Sequence, residues 1–392
     1  MNYEKEKYWR YNRTADKLLA LLLVCCSIGT GIQFGLDCLF GISMNLFLIE
    51  LAILVLFAIR TKDFRVNRNI FVLLVTCVAY LVGILIGDSR YVNGFLKDFI
   101  LQCSIMVLAL CFRVNYDLFL QYAKIASVII LCLLNAMIIT DNSGLNSYMS
   151  FGFHYMMALS FLFYYFYMKK NGTGIIICCV MIPQMLIYSS RSCWYMIGIL
   201  LIIVLFGLVK NKWIKLIGTG GIVVVLLNFS SIALWVINSL IEWVGIKTYA
   251  LRNLKVMLES NSAMGSLGDR RILFNMAIEV IEDHPFIGVG IGGFSSSKAI
   301  YPHNLFLDIW VTFGIFIGTA LIFFLIYMVY HALADVHINA YHVIFIWVLT
   351  NFTRLLTTHT FICEPIFFML LCLAINGLAE RRRYDLSSDS NL

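Results

Sequence analysis

Long apolar runs alternate with short polar breaks over nearly the whole chain. An apolar run of about 20 residues is long enough to cross a membrane as a helix. The pattern predicts about twelve such spans: 18–36, 41–59, 70–87, 95–112, 118–139, 149–168, 174–189, 192–209, 214–236, 304–330, 338–352 and 361–379. The period-2 alternation of barrel strands is absent. The expected fold is therefore an all-α polytopic membrane protein. A single transmembrane domain, 18–380, lies between a polar segment, 1–17, and a tail, 381–392. One connection breaks the rhythm, running from about residue 238 to 303. No internal repeat or low-complexity linker divides the chain, and Ser387 to Leu392 is expected to be disordered.

Within the long connection, Arg271 to Asp283 has helical patterning. Ile272, Leu273, Met276, Ile278, Val280 and Ile281 are apolar, with Asn275, Glu279, Glu282 and Asp283 interspersed. This suits an interfacial helix that lies on the membrane or caps a cavity. His284-Pro285 should end it, because a residue before proline avoids the helical region. Gly288, Gly290, Gly292 and Gly293 then allow backbone to approach a ligand closely. Their spacing is no dinucleotide fingerprint, since no βαβ unit surrounds them.

Composition agrees with this picture. The chain has 392 residues, of which 61% are hydrophobic and 13% charged, and the mean hydropathy is +0.87. A soluble domain carries roughly twice that charged fraction. The net charge of +7 is unevenly placed. With the N-terminus inside, the cytoplasmic segments hold Lys5, Lys7, Arg10, Arg13, Lys17, Arg60, Lys62, Arg65, Arg68, Arg113, Lys169, Lys170, Lys210, Lys212, Lys215, Arg381, Arg382 and Arg383. The short outer loops hold Arg90, Arg191 and Arg354. This asymmetry sets both termini in the cytoplasm and the long connection, 238–303, outside. The basic excess then needs no nucleic-acid partner. No cleavable signal peptide is visible. Most of the 12 cysteines fall inside spans as apolar filler, and Cys193 and Cys363 are weak disulfide candidates.

Several polar residues gather near the predicted outer edge. Arg191 sits in the tight turn Tyr188-Ser189-Ser190-Arg191-Ser192-Cys193-Trp194. Either it snorkels, or its planar fork holds an anion such as phosphate. Arg270 and Arg271 open the amphipathic segment, where cations oppose the helix dipole, so a polyanion explains them better. The alternative is pairing with Asp269 and lipid head groups. Pro302 suits a first helical turn. His303 then lies at the outer end of the tenth span, where a neutral imidazole can serve as general base. Asp308, about one turn on, can orient it, and the alternative is an interface histidine. Asn304 reads as a structural hydrogen-bonder. Arg354, His359 and Glu364 line the same cavity or form a local ion-pair cluster. Glu50 is a carboxylate within a span, and His154 reads as a packed histidine. The histidines and cysteines show no metal-type spacing.

These blocks resemble the O-antigen polymerase/O-antigen ligase superfamily of bacterial membrane glycosyltransferases. The resemblance rests on Ser190-Arg191; on Arg270/Arg271 followed by Asp283-His284-Pro285-Phe286-Ile287-Gly288-Val289-Gly290; and on Tyr301-Pro302-His303-Asn304-Leu305-Phe306-Leu307-Asp308 with Gly314 and Gly318. It covers about a third of the chain. It implies a GT-C-like fold and an inverting, metal-independent transfer from undecaprenyl-diphosphate-linked sugars, with no cofactor. Arg191 and one of Arg270 or Arg271 would hold the diphosphate, and His303 would activate the acceptor hydroxyl. Asn304, Asp308, Arg354 and His359 would support them. A chain-length regulator would be a partner. The run resembles a polysaccharide polymerase acting on a second lipid-linked repeat unit, the alternative being a ligase that transfers polymer to lipid A-core. A lipid-linked oligosaccharide flippase is a reading from another class. The absence of repeated halves and the single long outer connection oppose it.

Overall fold

The computed structural model describes residues 13–61, 67–86, 89–140, 148–189, 191–203, 211–243, 245, 248–259, 264–297, 301–334, 339–356 and 359–389. Among them every regular element is helical. In chain order these are α1 Arg13–Phe40, α2 Leu46–Arg60, α3 Ile70–Ile86, α4 Ser89–Phe99, α5 Ile105–Leu110, α6 Tyr116–Ile139, α7 Tyr148–Met168, α8 Gly172–Tyr188, α9 Arg191–Ile203, α10 Lys212–Leu227, α11 Phe229–Trp243, α12 Tyr249–Glu259, α13 Met264–Asp283, α14 Gly293–Ser297, α15 Leu305–Ala334, α16 Ala340–Phe352 and α17 Pro365–Asp389. A π-helical turn, Ile100–Ser104, joins α4 to α5, and a 3-10 turn, Thr353–Leu356, follows α16.

Asparagine starts many of these helices. Asn45, Asn115, Asn171, Asn211, Asn304 and Asn339 each accept a hydrogen bond from a backbone N–H two or three residues on. Such a cap satisfies one orphan donor and is worth about 1 kcal/mol. Asn228 acts differently. Its side-chain amide bonds back to the Val224 carbonyl at 3.0 Å, at the break between α10 and α11.

Helix α7 lies at the centre, buried from Tyr155 to Tyr164. It packs against α16, where Trp347 Nε1 donates to the Met157 carbonyl at 2.9 Å and Tyr164 pairs with Thr350 at 2.8 Å. Outward faces stay apolar: Phe71 is 64% exposed, Val75 67% and Leu85 83%. Water would not tolerate such a surface over many helices, whereas lipid requires it. By length and composition, Thr14–Phe40, Tyr91–Leu110, Tyr116–Ile139 and Leu305–His331 can cross a membrane, and shorter apolar helices accompany them. This fits a polytopic membrane protein.

Among the described residues four helices are long and apolar enough for a full span, and shorter apolar helices stand beside them. The run 214–236 divides at Asn228, and α11 continues to Trp243. One expectation needs correction: the tail, expected to be disordered, is helical through Ser387, Ser388 and Asp389.

Candidate functional site

The site is built on a broken helix. Within α15, Gly314 has φ 77° and ψ 170°, so the helix stops and restarts there. The break strands carbonyls that a continuous helix would satisfy. The turn after α13 takes them: Val289 N donates to Val311 O at 2.9 Å and Gly290 N to Thr312 O at 3.1 Å. In return Ile315 N donates to Pro285 O at 2.8 Å. Two glycines allow the approach. A Cβ on Gly314 would lie 2.5 Å from the Phe286 carbonyl carbon, and one on Gly288 (φ 70°) would lie 2.5 Å from Val311 O. The glycine-rich segment was expected to approach a ligand. Its close partner is instead the protein's own backbone, at α15 and, through Gly292, at Val92 of α4.

Helix α13 packs on the first segment of α15. Ala277, Val280 and Ile281 cluster with Phe294 and Val311, and Met276, Leu307 and Trp310 pack against that cluster. The predicted helix over 271–283 begins earlier, at Met264, so Arg270 and Arg271 lie inside it rather than at its N-terminus. The objection from the helix dipole therefore lapses. The side chains of Arg270 and Arg271 lie outside the described set.

At that end Asn304 is the cap of α15, accepting from Phe306 N at 3.0 Å and Leu307 N at 3.2 Å. Pro302 thus lies before the helix rather than in its first turn. His303 adopts φ 57°, the left-handed region that non-glycine residues seldom enter. Its ring sits 4.3 Å from that of Tyr301, centroid to centroid. Asp308 is buried, and its Oδ2 accepts from Thr360 Oγ1 at 2.7 Å and from Phe361 N at 3.3 Å. This oxygen ties the 359–364 turn to α15.

That turn completes the cluster. His359 stacks on Tyr301 at 6.2 Å and 18°. Arg354 Nη2 lies 3.3 Å from Glu364 Oε2, with both side chains largely buried, and the guanidinium lies 3.4 Å over the Phe153 ring. His359 Nδ1 is 3.6 Å from the same Glu364 oxygen. Burial, reinforced by Arg354 and His303, pushes His359 down to about 3. The imidazole is therefore neutral near neutral pH, and its contact with Glu364 is not an ion pair. Burial raises the Glu364 carboxyl against the opposing pull of Arg354. Burial likewise raises the Tyr301 phenol, and takes the Cys363 thiol up to about 12.

Arg191 opens α9, and Ser190 and the Arg191 side chain lie outside the described set. The backbone of its turn is held against α7 at Gly152, where a Cβ would collide with Ser189. The first turns of α9 pack on the 3-10 turn that carries Arg354, and Cys193 is within electrostatic reach of that arginine. Cys193 and Cys363, weak disulfide candidates, are free thiols. His154 packs between Phe34 and Phe153 as a core histidine. Glu50 stands apart from the cluster, beside a separate cavity.

The structure thus brings together His303, His359, Arg354, Glu364 and the Arg191 turn. The sequence did not single out Tyr301 as the ring between two histidines, nor Phe153 beneath Arg354, nor Gly152. Only the aromatic at 301, two residues before His303, left a local signal.

No curated protein matches the chain. Residues 176–325, from α8 into the second segment of α15, match a family model described as O-antigen ligase. The match takes in Arg191, Arg270, Arg271, His303, Asn304 and Asp308, and over those residues it supports a likeness to the O-antigen polymerase/ligase superfamily.

Proposed function

We propose that the chain is a polysaccharide repeat-unit polymerase. It moves a glycan from undecaprenyl diphosphate to a second lipid-linked repeat unit at the outer face of the bacterial cytoplasmic membrane, with both termini inside. The observation that carries this reading is the cluster at one end of the bundle, where His303, His359 and Arg354 meet the turn of Arg191. A hydroxyl nucleophile and an anionic leaving group need a proton acceptor and fixed positive charge respectively.

In the proposed step the acceptor hydroxyl oxygen attacks the anomeric carbon. The bond from that carbon to the diphosphate oxygen breaks, and its electron pair leaves with the diphosphate. The hydroxyl proton passes to His303. Arg191 and one of Arg270 or Arg271 stabilise the charge on the departing diphosphate. Attack opposite the leaving group inverts the anomeric centre, as in a GT-C-type transferase. Arg354, tied to Glu364 and Phe153, positions the 359–364 turn. Losing an anion-holding arginine should raise the barrier by about 2–4 kcal/mol, the scale of one lost oxyanion donor.

A second reading is an O-antigen ligase, favoured by the description of the matched family model. A glycan ladder separates the two. Cells lacking the chain are complemented with wild type, His303→Ala or Arg191→Ala at matched expression. A polymerase restores a ladder that the variants reduce to a single repeat on the acceptor. A ligase null instead accumulates long lipid-linked polymer that is never attached. Normal ladders from both variants would overturn the site assignment.

A further inference from the structure

A cavity of about 560 Å³ lies beside the cluster, between α1, the start of α2, the π turn and Pro365. Its size falls within the range of small-ligand sites, roughly 300–1,000 Å³, and far exceeds what a bare ion fills. Glu50, 3% exposed, lies in its wall. Around it stand the amides of Gln33 and Gln102, the hydroxyls of Thr30 and Ser43, and the Phe47 ring. Among the described residues no basic side chain lines the space, which does not suit a phosphate or diphosphate.

The placement of these groups calls for a reason. Gln33 and Gln102 lie on helices long and apolar enough to cross a membrane, Thr14–Phe40 and Tyr91–Leu110. Polar groups at membrane depth face a bundle interior or a wet cavity, because lipid leaves them unsatisfied. Gln102 lies in the π turn, whose extra residue resets the helix face there. Thr30, Ser43 and Gln102 are exposed at the edge of the cavity. The wall at Pro365 adjoins Glu364, the partner of Arg354. Cys103, next to Gln102, is within electrostatic reach of both Glu364 and Cys363. The cavity and the cluster therefore share the 363–365 segment.

We propose that this cavity is a subsite for an uncharged sugar residue of the glycan whose reacting end lies at His303. A carboxyl and amides in the wall match sugar hydroxyls, which both donate and accept, and Phe47 offers a face for the apolar side of a pyranose. The assignment rests on the glycosyl-transfer reading above.

The test uses the full chain in nanodiscs. The probes are the oligosaccharide released by mild acid from the cell's own lipid-linked repeat units and, separately, inorganic pyrophosphate. A Ser43→Cys variant reports maleimide labelling at the cavity mouth, and binding is read by thermal shift. The oligosaccharide should slow labelling at position 43, and pyrophosphate should not. Glu50→Gln and Gln102→Leu should each weaken oligosaccharide binding by about 10–100-fold, the worth of a hydrogen bond to a charged or buried partner. Pyrophosphate binding should hold. Gln102→Leu changes an exposed residue, so it still reports if Glu50→Gln fails to fold. Equal oligosaccharide binding by wild type and Gln102→Leu, or unslowed labelling, would overturn the subsite while leaving the transferase reading intact. A wild-type chain that binds neither probe and restores no glycan ladder would instead sink the transferase reading, and the subsite with it.

Discussion

His303 carries two burdens that can be separated. Its left-handed backbone costs folding energy, and its imidazole is proposed to take a proton. His303→Gly relieves the backbone and removes the ring. The melting temperature should stay level or rise, while transfer falls by about 10²–10⁴-fold, the usual worth of a general base. His359 makes a different prediction. Its folded-state pKa is depressed from 6.5 to about 3. Between those values the unfolded chain binds a proton that the folded chain refuses. Stability from this group is whole above pH 6.5 and is lost as pH falls toward 3. His359→Gln should therefore flatten acid destabilisation in that window, measured by thermal shift from pH 7 to 4. Both histidines were legible in the sequence because each stood at the edge of an apolar run. Their meeting across Tyr301 was not legible, because 56 residues separate 303 from 359 and local periodicity says nothing about such a contact.

The repaired break in α15 makes sharper demands on its glycines. Gly314→Ala would place a non-glycine residue at φ 77° and drive its Cβ into Phe286. We expect destabilisation on the order of 3 kcal/mol or more, read as a lower melting temperature in detergent. Gly94→Ala, with open space around it, is the matched control. Gly152→Ala should displace the Arg191 turn and mimic Arg191→Ala in activity, with Gly94→Ala again near wild type. The long apolar runs at 18–36, 118–139 and 304–330 and the stop at His284-Pro285 correspond to observed helices and a helix end, because length and proline act locally. The sequence did not reveal the helix break, since nothing in Phe313-Gly314-Ile315 distinguishes a kink from a glycine tolerated in a membrane helix. Asn304, read as a structural hydrogen-bonder, caps α15, whereas the caps at Asn45, Asn115, Asn171, Asn211 and Asn339 were not read from the sequence.

The bundle as a whole turns apolar side chains outward, while Asp308, Arg354 and Glu364 meet around the 359–364 turn. Breaking the Arg354–Glu364 pair should show how much that turn depends on paired charge. Arg354→Met alone leaves Glu364 buried and unpaired, and should cost about 3–5 kcal/mol. Adding Glu364→Leu should recover much of that loss, as measured by a double-mutant thermal cycle. On the outer surface, Val75→Asp should impair membrane insertion by about 3 kcal/mol, read by a translocon insertion assay, because Val75 is 67% exposed on an apolar face. Hydropathy sums revealed the apolar, helical character in outline, since they run over many residues. The cavity beside Glu50 was invisible to them, being assembled from α1, α2, the π turn and Pro365.

The mended helix also bears on how the chain is made. The turn at 285–290 leaves the ribosome before the carbonyls at 311 and 312 that it will cover, and only about two dozen residues separate donor from acceptor. The patch is thus already synthesised when the gap appears. A nascent span that would otherwise enter lipid with bare carbonyls can be closed while its second half is still being translated. Moving these two segments far apart, by a long insertion between 298 and 300, would make the break a hazard of biogenesis even if the finished structure were unchanged.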